Sequence, residues 1–218
     1  MKTDMKLKQD VEDELDWTPD VESAHIGVEV CDGVVTLSGH PASFSEKLAA
    51  AAAARRVLGV RAVVIDMEVR LPNAEVRDDE EIVHAAQSVL HWTVGLRADA
   101  VTLQVEKGKV TLRGEVDSAF QRDMASRHIA HMRGVIAVDN LIRVRPGFAL
   151  GDIGEKIARA LVRHAEREAH HIAVDVSGGT VTLSGTVGTC AERDAARGAA
   201  WSTRGVHAVI DNLEVEAR

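Results

Sequence analysis

The chain has no tyrosine, and aromatic residues make up 3% of its 218 positions. A core built around large rings is thereby excluded; small modules packed with Val, Ile, Leu and Ala fit such a composition. Net positive charge is also lacking, since 34 Asp/Glu outnumber 26 Lys/Arg for a formal net charge of −8. Residues 1–75 carry 8 Lys/Arg against 14 Asp/Glu, residues 76–148 carry 10 against 10, and residues 149–218 carry 8 against 10. An acidic chain repels phosphate backbones, which argues against a nucleic-acid partner. The acidic first third is repelled by an anionic membrane for the same reason. No run approaches the roughly 18 apolar residues of a membrane span. The opening residues, Met1-Lys2-Thr3-Asp4-Met5-Lys6, lack the apolar stretch that directs export, so a cytoplasmic location is expected. The only cysteines, Cys31 and Cys190, stand at unrelated places. Free thiols are expected there, not a disulfide.

What the chain has is a repeat. Val35-Thr36-Leu37-Ser38-Gly39 returns as Val110-Thr111-Leu112-Arg113-Gly114 and as Val181-Thr182-Leu183-Ser184-Gly185, at offsets of 75 and 71. Residues 7–69, 82–144 and 153–215 then align as 63-residue blocks without a gap, the second and third identical at 19 positions. The difference in offset falls in linkers that contain Pro72 and Pro146, residues that favour an extended break. The module boundaries expected are 1–71, 76–146 and 148–218.

Each block has the same pattern. Apolar residues at i, i+4 and i+8 predict an opening helix: Leu7, Val11, Leu15; Ile82, Ala86, Leu90; Ile153, Ile157, Leu161. Period-two alternation follows (Ile26, Val28, Val30 and equivalents), predicting a strand with one buried face. Asp32-Gly33, Lys107-Gly108 and Gly178-Gly179 are hairpin turns, and the Val-Thr-Leu strand runs on to Gly39, Gly114 or Gly185. A second helix opens at capping boxes, Ser43 with Glu46, Ser118 with Gln121 and Thr189 with Glu192. Its core face carries Ala50, Ala125 or Ala196. Gly59, Gly134 and Gly205 are read as left-handed C-caps. A last strand carries Val60, Val63, Val69 and their equivalents. The fold class predicted is α+β: three tandem α-β-β-α-β modules, each a three-stranded mixed sheet with two helices packed on one face.

This pattern, I-x-V-x-V-x-x-G-x-V-T-L-x-G followed by a capped helix and G-V-x-x-V…L-x-V, resembles the BON domain three times over, across essentially the whole chain. Asp139-Asn140 in the second copy sits one position earlier than Asp211-Asn212 in the third, a departure that suggests a shifted bulge or turn before the last strand. The resemblance implies a non-catalytic module without cofactor. It also implies a link to osmotic stress and, for some relatives, binding of anionic phospholipid through a first helix. With no export signal in the opening residues, such a role is expected here at a cytoplasmic membrane face.

Chemistry of other kinds finds little support. Ten histidines occur, but His128, His131, His84, His91, His170 and His171 form no metal-ligand spacing. The sister positions of His128 are Ala53 and Ala199. Cys190 opens a helix, which can lower a thiol pKa, yet it aligns with Phe44 and Ala119. The runs Glu12-Asp13-Glu14 and Asp78-Asp79-Glu80-Glu81 read as solvated acidic turns near helix N-termini. Trp17 and Trp92 share one aligned position at the end of the first helix, where the third copy has Arg163. An indole there packs against a neighbouring module, covers the core edge, or inserts at a membrane interface, beside Leu96 and Arg97 in the second copy. Trp201 stands where the others have Arg55 and Ala130, a candidate partner contact. Two expectations of function follow: a stress-associated protein that binds a membrane surface or envelope component, or a protein-interaction scaffold or homo-oligomer.

A module near 65 residues is small for independent stability, and short linkers favour shared packing. Residues 78–146 expressed alone are therefore expected to melt below the full chain in a calorimetric scan. An isolated module that melts as high as the whole protein contradicts shared stabilisation.

Overall fold

The computed structural model describes residues 2–93, 96–97, 99–145, 172–177, 179–203, 206 and 208–216. In the first module, α1 (Asp4–Trp17) leads through a 3-10 turn to β1 (Ile26–Cys31), β2 (Val34–Gly39), α2 (Phe44–Arg56) and β3 (Ala62–Met67). The second repeats it as α3 (Asp79–Trp92), β4 (Val101–Glu106), β5 (Lys109–Val116), α4 (Ala119–Ala130) and β6 (Ala137–Val144). The third shows β7 (Ile172–Ser177), β8 (Thr180–Val187), α5 (Cys190–Ser202) and β9 (Ala208–Val215). Its expected first helix, with Ile153, Ile157 and Leu161, lies outside the described residues. The strands form three sheets, β1-β2-β3, β4-β5-β6 and β7-β8-β9. Each hairpin is antiparallel, and β6 and β9 pair parallel to the strand before them. The fold is α+β, as the repeat predicts.

The apolar stripe of each first helix is its buried face: Leu7, Val11 and Leu15 in α1, and Ile82, Ala86 and Leu90 in α3. In the second module these last three join Val110, Leu112 and Val116 of β5, Ala125 and Ile129 of α4, and Ile142 of β6 in one cluster. Both helices therefore cover the same face of the sheet. Ala50 and Ala125 are fully buried, as close approach of the second helix demands. In the closing strands the most buried position is Met67, Ile142 or Leu213, while Val63, Val144 and Val215 are only half-buried. The strand β3 spans only Ala62–Met67, so Val60, fully buried, and Val69, half-buried, flank it and do not belong to it.

Both central residues of the first two hairpin turns have positive φ, 50° and 76° at Asp32-Gly33 and 51° and 76° at Lys107-Gly108. This is a type I′ turn, whose twist matches the strands. Its backbone N–H groups are held from outside the hairpin. The Asp79 carboxylate accepts from Lys107 N–H at 2.8 Å and Gly108 N–H at 2.9 Å. Asp4 does the same for Asp32 at 2.9 Å and Gly33 at 3.3 Å. The first helix is thus tied to the turn in both modules. The acidic run at Asp78 is correspondingly more than a solvated turn, since Asp78 and Glu81 form a capping box while Asp79 grips the hairpin. The run Glu12-Asp13-Glu14 lies within α1 and not at its start; Glu14 pairs with Arg56 at 2.9 Å. In the third module the position aligned with Asp79 is Leu150, and Gly179 takes φ 86°, which a glycine adopts without steric strain.

The caps of the second helices form with one variation. Ser43, Ser118 and Thr189 accept from the N–H three residues on, at 3.0, 3.3 and 3.0 Å. The reciprocal carboxylates of Glu46 and Glu192 bond the N–H before the cap, at Ala42 and Gly188, whereas Gln121 reaches both Asp117 and Ser118. Gly59 and Gly134 do not cap the helices directly. Those end at Arg56 and Ala130, and tight i→i−3 bonds such as Val57 N–H to Ala54 carry the chain to each glycine. The glycines then take φ of 104° and 82°; Gly205 lies outside the described residues. The suspected shift around Asp139-Asn140 does not occur. Asn140 and Asp211 take the same place in register, each accepting from the N–H two residues on, at 3.2 and 3.1 Å. Each also touches the second helix, at the Arg122 carbonyl and the Arg193 guanidinium respectively. Asn and Asp serve one local bond equally well.

Gly114 sits at φ 141°, and a Cβ there would run into the carbonyl oxygen of Ala100. Gly114→Ala should lower unfolding free energy by about 1–3 kcal/mol or more, a strained-backbone effect. Asp79→Ala, which orphans the two turn N–H groups, should cost about 1–2 kcal/mol in urea denaturation. A neutral outcome for Asp79→Ala contradicts the tie between helix and turn.

Candidate interaction site at the first-helix ends

Trp17 and Trp92 each lie two residues past the last member of a buried stripe. Two residues turn a helix by about 200°, so both rings face away from the core. They are 84% and 82% exposed. Neither plugs the core edge, and the reading of these indoles as covers is corrected accordingly. The end of each helix is fixed by a threonine at one aligned position. Thr18 Oγ1 donates to the Glu14 carbonyl at 2.7 Å and Thr93 Oγ1 to that of Val89 at 2.8 Å. Thr93 is buried and stands 3.0 Å from His128 Nδ1, which ties α3 to α4. The sequence signal for this pin was the shared threonine after each tryptophan.

The two indoles have different surroundings. Beside Trp17 lie the exposed Asp16 and Asp20, and Arg56 is already engaged by Glu14 and Thr18. His91 meets Trp92 edge-on, with ring centroids 5.9 Å apart. An open groove of about 720 Å³ beside them is lined by Gln87, His91, Trp92, Leu96, Arg97 and Leu103, among others. Leu96 is half-buried against the module core, so among the described groove residues the indole is the exposed large apolar element; exposed Arg97 stands on the groove wall with Asp99. Trp201 is half-buried against the core of its own module and presents less surface. The cap and turn residues (Gly33, Gly39, Gly108, Gly179, Gly185 and their partners) are accounted for by backbone geometry.

Among the described residues no group of three or more His, Cys, Asp or Glu is placed to hold a metal. His131 bonds the Arg127 carbonyl of its own helix. Burial pushes the Cys190 thiol up from its ordinary value, with Asp194 adding to the effect. That is the reverse of nucleophile activation and overrides its place at a helix start. No helix among the described residues is long and apolar enough to cross a membrane.

The BON domain family model matches residues 3–70, 78–146 and 150–217. Osmotically-inducible protein Y of Escherichia coli (strain K12) is 26% identical over 147 residues, covering 64% of this chain and 73% of that protein. Among solved structures, the C-terminal domain of CdsD, a structural protein of the type III secretion system of Chlamydia trachomatis, aligns over 99% of this chain and 100% of its own. It does so at 16% identity and a TM-score of 0.27. The PrgH periplasmic domain aligns over 88% of this chain and 95% of its own, at 13% identity and a TM-score of 0.23. Similarity this low carries no argument about function.

Trp92→Ala should change stability by under about 0.5 kcal/mol, as a surface substitution does. Trp201→Ala should cost about 1–3 kcal/mol, part of what a buried Trp truncation loses. Equal and large losses at both sites in denaturant titrations contradict the exposure of Trp92.

Proposed function

Because the chain belongs to the BON domain family, we propose that it is a non-enzymatic, stress-associated binding protein whose first-helix ends present Trp17 and Trp92 to its ligand. The association with stress is supported by the name of its relative, osmotically-inducible protein Y. The observation that carries the site is the exposure, above 80%, of two indoles at one repeated position. An indole held in water at the end of a fixed helix exposes apolar area that a partner can cover. For Trp92 the ligand is an anionic phospholipid surface: the ring enters the headgroup boundary while Arg97 meets the phosphate. Trp17, among carboxylates, is repelled by that surface and plays the smaller part.

A second reading is favoured by a different observation. The outer faces of the closing strands carry exposed Val64, Leu141 and Ile210, and β1, β4 and β7 lie at sheet edges among the described residues. Such edges and apolar side chains suit a protein scaffold or homo-oligomer.

Cosedimentation with phosphatidylglycerol and with phosphatidylcholine vesicles separates the two readings. Trp92→Ala should weaken binding to the anionic vesicles about tenfold, the free energy of one buried indole, and Trp17→Ala should do less. Binding by neither vesicle type removes the lipid reading. Concentration-dependent self-association in sedimentation velocity then supports the scaffold.

A further inference from the structure

Met1–Gly39 and Ala49–Asp66 of the first module fall in one compact unit with the third, from which the second separates them in sequence, and the contact between them joins unlike ends of two second helices. The turn after α2 meets the start of α5. Cys190, the first residue of α5, donates its thiol to the Val60 carbonyl at 3.2 Å. The Arg55 guanidinium lies 3.4 Å from the Asp194 carboxylate. A side chain on Gly188 would begin 3.7 Å from Leu58 Cδ1. Asp194 also meets Arg197 at 3.5 Å, and Arg197 reaches Asp211 at 3.4 Å, so the ion pair extends into the third module. The match is particular to these modules, because the position of Arg55 is Ala130 in the second and Trp201 in the third.

We propose that the third module docks on the first as a reversible latch, with Arg55, Leu58 and Val60 on one side and Gly188, Cys190 and Asp194 on the other. Its strength is limited by its chemistry. Arg55 and Asp194 keep 41% and 46% of their side-chain surface in water, and exposed pairs of this kind contribute about 0–1 kcal/mol. A thiol is a weak donor. Such a dock opens readily, uncovering the end of α2 and the start of α5 together.

Cys31 is exposed and Cys190 is half-buried in the contact, so the chain carries its own reference thiol. Alkylation by iodoacetamide, followed peptide by peptide in the full chain, reads the latch. Cys190 should react more slowly than Cys31. The charge of Arg55 lowers the Cys190 pKa, so its loss with the latch unchanged can only slow the thiol. If Arg55 holds the latch, Arg55→Gln exposes the thiol and speeds it instead, by roughly threefold relative to Cys31. Arg55→Lys keeps the charge and should keep the slow rate, and far-UV spectra should coincide for all three proteins. A Cys190 that reacts as fast as Cys31 in the unmodified chain, or that is unchanged or slower in Arg55→Gln, overturns the latch.

Discussion

A three-stranded sheet buries one face only, and the first two modules depend on keeping both their helices over that face. The hydrophobic stripe supplies the attraction but not the placement. In the first two modules placement comes from the carboxylate of Asp4 or Asp79, which grips the two N–H groups of a type I′ turn. The bond joins the start of the first helix to the tip of the hairpin, so helix and sheet cannot slide independently. The close backbone approach at Gly39 and Gly114 fixes the other end of the hairpin. Between these two points the apolar residues have one register in which all are buried. In a module near 65 residues, where roughly 60% of the chain surface is buried on folding, such polar ties matter more than in a large domain.

Much of this was legible in the sequence because it is local. The stripe of Ile82, Ala86 and Leu90, the period-two strands, the glycine turns and the capping Ser118-Gln121 all depend on neighbours within a few positions. The aspartate tie was not legible, since Asp79 and Lys107 lie 28 residues apart and a carboxylate at a helix start has the helix dipole as a sufficient explanation. Helix ends were misplaced for a related reason: a left-handed glycine marks where the chain turns, and the bonds of the intervening 3-10 turn leave no mark in composition. The equivalence of Asn140 and Asp211 was hidden because Asp139-Asn140 and Asp211-Asn212 look displaced when matched by identity. The structure matches them by what their side chains accept.

Exposure of Trp17 and Trp92 follows from helix geometry. A residue two positions beyond an i, i+4, i+8 stripe points outward whatever its chemistry. An apolar residue kept there in two copies is not explained by folding. The electrostatic settings then differ: acidic around Trp17, balanced around Trp92 with Arg97 on the groove wall. One fold repeated with unequal charge gives modules that share architecture and differ in what they can approach.

The central claim is that Trp92 stands in water until a ligand covers it. The direct measurement is the emission spectrum of a chain in which Trp92 is the sole indole, Trp17 and Trp201 both replaced by Phe. The account predicts emission close to that of free indole and strong acrylamide quenching in buffer. A blue shift with loss of quenching should follow when phosphatidylglycerol vesicles are added. Blue-shifted, quencher-resistant emission already in buffer would mean that the ring is buried in the free protein, and would contradict the account.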